Sequence, residues 1–202
     1  MMEVLKVKRG SIKDAVHILR AGGVVVFPTE TAYGIGCDAT NKDAVKRVFE
    51  IKGRPKDKGV PIIVDSIKRA AVYVDFSDRA TALAKKHWPG PLNLVLPLRE
   101  DCKLVNQVTQ GDTSAVRVSS HKVAYKLAKR LGKPIVATSA NVSGEETCYS
   151  IPCLLDQFKF EEDSPLPDII LDAGVLPRQK TSTVAHVIGD QVIVLRQGKI
   201  RV

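Results

Sequence analysis

Short apolar, β-branched runs alternate along this chain with stretches of helical periodicity, and that alternation restricts the fold to the α/β class. Residues 24–27 read as the first strand, followed by 60–64, 92–96, 115–118, 135–137, 169–171, 184–187 and 192–195. Ile12, Ala15, Val16 and Leu19 share one helical face, with Ser11 as the expected N-cap and Gly22-Gly23 as the stop. Asn41 opens a second helix carrying Ala44, Val45, Val48 and Phe49, which closes near Gly53. Further helices are predicted over 66–74, 78–87 and 120–131, the last capped by Gly132. Pro61 assigns its strand to a sheet edge or makes it a strand start, and Trp88-Pro89-Gly90-Pro91 breaks the chain. The last strands lie too close together for helical crossovers, so a mixed parallel and antiparallel sheet is expected. With no repeat, low-complexity tract or linker, residues 1–202 are expected to form a single domain.

A hydrophobic content of 44% supports a sizeable core without covalent staples. Cys37, Cys102, Cys148 and Cys153 contain no C-x-x-C pair and are expected to be reduced and incidental. The longest apolar runs are too short to span a bilayer, and the N-terminus has no apolar stretch of signal-peptide length. A cytoplasmic protein without membrane contact is the expectation. A net charge of +9 creates a field that attracts nucleotides, polyphosphates or RNA. Seven cations fall between positions 42 and 58, whereas 156–172 is acidic, so one face should be positive.

Several chemistries are missing. No G-x-x-x-x-G-K-[ST] occurs, so a P-loop is excluded. Gly34-Ile35-Gly36-Cys37-Asp38-Ala39 matches a loose dinucleotide fingerprint, but residues 28–33 separate it from the preceding strand and the next helix starts only near Asn41. His17, His87, His121 and His186 show no metal-ligand spacing, and no metal site is expected. No G-x-S-x-G elbow supports a serine hydrolase.

What remains is concentrated in loops. Pro28-Thr29-Glu30-Thr31-Ala32-Tyr33-Gly34 sets hydroxyls and a carboxylate after a strand. Lys52-Gly53-Arg54-Pro55-Lys56-Asp57-Lys58 places four cations at a helix end, more than a helix C-terminus needs. Thr138-Ser139-Ala140-Asn141-Val142-Ser143-Gly144 is a polar loop of small residues. These occur in order with Trp88-Pro89-Gly90-Pro91-Leu92, Ala115-Val116-Arg117-Val118, Ser182-Thr183-Val184 and Arg196-Gln197-Gly198. The chain thereby resembles, over nearly its whole length, the YrdC-like threonylcarbamoyl-adenylate synthase family.

The resemblance implies a twisted mixed sheet flanked by helices, with a positively charged concave groove. It implies that Thr31, Arg117, Ala137 and Ser182 surround L-threonine. It implies further that Lys52, Arg54, Lys58, Thr113, Ser139, Asn141, Thr147 and Arg196 surround ATP, with Lys52 and Arg54 catalytic. The implied product is threonylcarbamoyl-AMP, made from threonine, bicarbonate or CO2 and ATP with loss of pyrophosphate. It would serve N6-threonylcarbamoyladenosine formation in tRNA, handed on by a tRNA threonylcarbamoyltransferase. Mg2+ would arrive on the ATP phosphates, and any contact with tRNA or double-stranded RNA would be weak. Gly59, Ile63, Asn93 and Ser119 depart from the family pattern, and the extra C-terminal domain of longer relatives is not expected. Competing readings are an RNA-binding protein without enzymatic activity, poorly supplied with aromatics at 5%, and a related carbamoyl-adenylate-forming domain.

Overall fold

The structure is a computed structural model that describes residues 2–55, 58–158 and 165–202. Eleven strands and six helices follow one another in it as β1 (Glu3–Lys6), α1 (Arg9–Arg20), β2 (Val25–Pro28), β3 (Tyr33–Gly36), α2 (Lys42–Lys52), β4 (Ile62–Val64), α3 (Ile67–Ala70), α4 (Asp78–His87), β5 (Leu92–Pro97), β6 (Thr113–Val118), α5 (Lys122–Leu131), β7 (Ile135–Val136), β8 (Thr138–Ser139), α6 (Ile151–Gln157), β9 (Ile169–Asp172), β10 (Thr183–Ile188) and β11 (Gln191–Arg196).

The strands divide between two sheets, where the sequence spacing suggested one. One sheet runs β1-β9-β2-β3-β8 and the other β11-β10-β5-β6-β4-β7, and both mix parallel with antiparallel pairs. The second sheet is centred on β5 and β6, which pair antiparallel with Leu94 opposite Val116. Strand alternation then splits the interior. Val24, Val26, Ile62, Val64 and Ile170 point into one core with α2 and α4, while Val25, Phe27, Ile63, Ile169 and Leu171 point into another beneath α1 and α5.

Local signals explain most helix ends. Asn41 accepts from the backbone N–H of Asp43 and Ala44, and Gly53 ends α2 in the left-handed region at φ 56°. Ser77 caps α4 by accepting from Ala80 N, and Gly132 closes α5 at φ 74°. Two expectations shift. Helix α1 starts at Arg9 with Lys8 as its N-cap, and Ser11 sits a turn in, accepting from Lys8 N and donating to Lys8 O. The helix expected over 66–74 shortens to α3, because Ser66 caps only one turn before the backbone turns away towards Arg99 and Pro97.

The loose glycine fingerprint has a structural origin. Gly34 and Gly36 lie on β3, the second arm of a hairpin with β2. A Cβ on Gly36 would stand 1.7 Å from Val136 O, so glycine is required by the close passage of β7 and not by a phosphate. Strands β1, β3 and β8 and helix α6 were hidden in the sequence, being short or rich in glycine and polar residues.

The cysteine expectation is corrected. Cys148 and Cys153 form a disulfide with Cα atoms 5.5 Å apart, while Cys37 is buried and free and Cys102 is free. The first turn of α6 carries Cys153 back towards Cys148, a proximity that a C-x-x-x-x-C spacing does not announce.

Candidate active site

The two sheets meet the ends of β2, β6, β8 and β10 at an open cleft of about 250 Å³. Its wall contains three arginines, Arg54, Arg117 and Arg196, and five threonines, Thr29, Thr31, Thr138, Thr147 and Thr181. Ser139 and Ser182 add further hydroxyls, and among the described residues no aspartate or glutamate lines it. Such a surface suits a ligand rich in anionic oxygen.

The hairpin loop between β2 and β3 supplies one side. Thr29 Oγ1 accepts from the N–H of Thr31 (3.2 Å) and Ala32 (3.3 Å) and donates to Ala32 O (2.7 Å). That turn holds Thr31 at the cleft, with its hydroxyl 3.1 Å from that of Thr29. At the start of β3, Tyr33 donates its hydroxyl to Gly174 O at 2.8 Å, and burial raises its pKa above the ordinary phenol value.

Arg117 comes from β6 and is only 4% exposed. Its Nη1 donates to Glu30 Oε1 and, at 3.2 Å, to Ser182 Oγ. The second Glu30 oxygen accepts from Ser119 Oγ at 2.5 Å. Burial lowers the Arg117 pKa, Glu30 opposes that shift, and the Arg196 charge adds to it. Ser182 joins two arginines, since its carbonyl accepts from Arg196 Nε at 3.1 Å and Nη2 at 2.9 Å.

Lys52, at the last turn of α2, is 2% exposed and does not line the cleft. Its ammonium donates to the carbonyls of Ser139 and Asn141, each at 2.5 Å, while its own carbonyl accepts from Ser143 N at 2.8 Å. It therefore clamps the polar loop from beneath. Burial first, and the Arg54 charge second, push its pKa down to about 8. The Asn141 amide donates to Val142 O and Glu145 O, both at 2.8 Å, and so shapes the same loop from within.

Of the twelve residues singled out in the sequence, Thr31, Arg54, Arg117, Ala137, Ser139, Thr147, Ser182 and Arg196 come together around the cleft. Four do not line it. Lys52 and Asn141 hold the loop, and exposed Lys58 offers its carbonyl to Arg54 Nε at 3.1 Å. Thr113 donates to Gln110 O at the far end of β6. Lys56 lies outside the described residues. Ile63 is fully buried in the core under α1 and α5, opposite Arg117 in the β4–β6 register. The cleft also includes Thr29 and Tyr33, which the hydroxyl-rich loop motif contains without a contact assigned to them, Asn93, marked only as a departure from the family pattern, and Tyr149 and Thr181, which nothing in their own segments marks. Asn93 is buried, and its Oδ1 has no hydrogen-bond partner among the described residues.

Fold and cleft together define an α/β protein whose cleft is lined by three arginines and by hydroxyl side chains. A family model described as Sua5/YciO/YrdC, telomere recombination, matches residues 17–198, and the chain belongs to that family. It is 37% identical over 196 residues to the threonylcarbamoyl-AMP synthase of Pyrococcus abyssi, covering 96% of this chain and 55% of that relative. The threonylcarbamoyl-AMP synthase of Psychromonas ingrahamii is 32% identical over 188 residues, covering 91% of this chain and 95% of that relative. The crystal structure of Pyrococcus abyssi Sua5 complexed with L-threonine superposes with a TM-score of 0.86 at 36% identity, over 98% of this chain and 57% of that one. The chain thus spans just over half of the archaeal relative and nearly all of the bacterial one. Among the described residues, no helix is long and apolar enough to cross a membrane.

Proposed function

We propose that this protein is an L-threonylcarbamoyladenylate synthase, joining L-threonine, bicarbonate or CO2 and ATP. The observation that carries the reading is the cleft itself, where three arginines and several hydroxyls converge with no carboxylate in the lining among the described residues. A chain 36% identical with the same fold has been crystallised with L-threonine.

The chemistry needs no protein nucleophile. The neutral amine of threonine adds to CO2 and loses a proton, giving a carbamate. A carbamate oxygen attacks the α-phosphorus of ATP, the bond to the bridging oxygen breaks, and pyrophosphate leaves with the electron pair. Positioning and charge neutralisation supply most of the acceleration in such transfers. Arg117 receives the threonine carboxylate, with Thr31, Ser182 and the Ala137 backbone around the rest of the amino acid. Arg54 and Arg196 face the polyphosphate, Ser139 and Thr147 hydrogen-bond it, and Lys52 and Asn141 act by holding the loop that carries Ser139.

Mg2+ fits this site only as a passenger on the phosphates. Among the described residues, the lining offers hydroxyls and guanidinium groups but no carboxylate, and no group of three His, Cys, Asp or Glu is arranged to hold a metal. The ion neutralises phosphate charge when ATP brings it. The product would feed threonylcarbamoylation of tRNA in the cytoplasm through a separate transferase.

Mass spectrometry after incubation with ATP, Mg2+, bicarbonate and threonine should detect threonylcarbamoyl-AMP together with one equivalent of pyrophosphate. Pyrophosphate released equally without threonine would remove the assignment.

A further inference from the structure

The Glu30 carboxylate is not part of the cleft lining, yet it touches the residue that defines one end of it. We propose that Glu30 is a positioning residue for threonine recognition, orienting the Arg117 guanidinium, with Ser119 as its own anchor. The inference rests on the threonylcarbamoyl-adenylate reading above.

Three observations carry it. First, both Glu30 oxygens are engaged on different partners, Oε1 by Arg117 Nη1 and Oε2 by Ser119 Oγ. A carboxylate held at both oxygens has little freedom to rotate, so it transmits a fixed direction to the guanidinium. Second, the contact is sheltered, with side-chain exposures of 5% for Arg117 and 12% for Glu30. In such surroundings an ion pair is weakly screened. Third, the engaged atoms lie on one corner of the guanidinium. Nη1 serves Glu30 and Ser182, whereas Nη2 and Nε have no hydrogen-bond partner among the described residues. That leaves the Nε–Nη2 edge, which matches the spacing of two carboxylate oxygens, for a ligand.

Ser119 ties the arrangement to the rest of the fold. Its hydroxyl accepts from His121 N at 3.2 Å while donating to Glu30, linking the start of α5 to the arginine. A side chain without a hydroxyl at this position could supply neither contact. Glu30 lies in the β2–β3 loop beside Thr31, so one short loop would both orient the carboxylate anchor and present a hydroxyl to the bound amino acid.

The test is steady-state kinetics with threonine and ATP varied separately. Glu30→Gln removes the charge and leaves an amide in place of the second oxygen. It should raise KM for threonine roughly tenfold, a loss typical of a charge-assisted hydrogen bond, while KM for ATP and kcat stay within about twofold. Ser119→Ala, which only frees the far oxygen, should raise the same KM about threefold. On an Arg117→Lys background, whose compact ammonium has no fork to orient, Glu30→Gln should change KM for threonine by less than about twofold. An unchanged threonine KM in Glu30→Gln overturns the proposal. So does a parallel worsening of kcat, both KM values and Tm, which marks a purely structural residue, or a full tenfold effect on the Arg117→Lys background. If wild-type protein makes no threonylcarbamoyl-AMP, the functional reading falls and takes this inference with it. If it does make the product, these outcomes bear on Glu30 alone.

Discussion

Two buried cations, Arg117 and Lys52, are handled in opposite ways. Arg117 has a carboxylate partner in Glu30, so its charge is balanced and its direction set. Among the described residues, Lys52 has the carbonyls of Ser139 and Asn141 and a neighbouring Arg54, so its charge is stabilised by dipoles and opposed by a like charge. The difference shows in titration. Burial lowers both, but Glu30 opposes the shift at Arg117, whereas Arg54 adds to it at Lys52, which arrives at about 8. Arg117 thus brings a balanced charge to the cleft wall, whereas Lys52 uses its ammonium to hold a loop.

The largest effect should follow removal of the paired cation. Arg117→Ala is expected to lower kcat/KM for threonine by about 10²–10³-fold, the usual loss when one partner of a buried charge contact is truncated. It should also destabilise the fold by about 3–5 kcal/mol, because Glu30 is left buried without its counter-charge. Separate kinetics and urea denaturation measure the two. Full activity with a stable fold would break the comparison at its first term.

Lys52→Met comes next. Turnover should fall at least tenfold, since Ser139 loses the clamp beneath it, with KM for ATP rising more than KM for threonine. Because Lys52 is buried at the last turn of α2, its removal bears on stability as well as on turnover. Keeping the ammonium charged in this place costs roughly 3 kcal/mol relative to water, from the drop of 10.5 to about 8. Removing it relieves that cost but strands two carbonyls, each worth about 1–3 kcal/mol. A net stability change near zero is therefore expected, and a large loss in Tm would show that the clamp is mainly structural.

The same lysine predicts a pH dependence. Its folded pKa lies below its unfolded one, so between about 8 and 10.5 the unfolded chain binds more protons than the folded chain. Stability of the wild type relative to Lys52→Met should therefore rise with pH in that window, by at most about 1.4 kcal/mol per unit. Below about 8 the difference should be flat. Denaturant titrations of both proteins at pH 7, 8, 9 and 10 give the slope directly, and a falling difference would mean that Lys52 is not the low-pKa group.

The smallest effect is expected at the disulfide. Cys148 lies between the cleft residues Thr147 and Tyr149 and is tied to α6 through Cys153. Cys153→Ser should loosen that segment and raise KM for ATP by about two- to fivefold, leaving KM for threonine unchanged. A larger effect on threonine than on ATP would reassign Thr147 to the other end of the cleft.

The order of elements and much of the cleft were legible in the residues themselves. Apolar alternation marked the central strands, Asn41 and Gly53 marked the ends of α2, and eight of the twelve marked residues do face the cavity. The errors have identifiable causes. Strands β3 and β8 carry glycines or hydroxyls in place of an alternating apolar pattern, because β3 must pass close to β7 and both strands border the cleft. The motif containing Lys52 and Arg54 reads as one cluster of cations, but α2 ends between them. Lys52 belongs to the helix and points inward, whereas Arg54 lies past the left-handed Gly53 and reaches the cleft.

By itself, then, the sequence determined what is local: period, caps, breakers, and which side chains could bear charge or hydrogen bonds. Those properties depend on neighbours within a few positions and are written in the residue order. The tertiary structure alone decided the division into two sheets, the pairing of Cys148 with Cys153, and the use of each cation. Whether a cation binds ligand or loop depends on what lies opposite it, and those partners come from 87 residues away for both Glu30 with Arg117 and Ser139 with Lys52. No local pattern encodes that distance. It is set only when the strands pair and burial makes each unpartnered charge costly enough to fix its place.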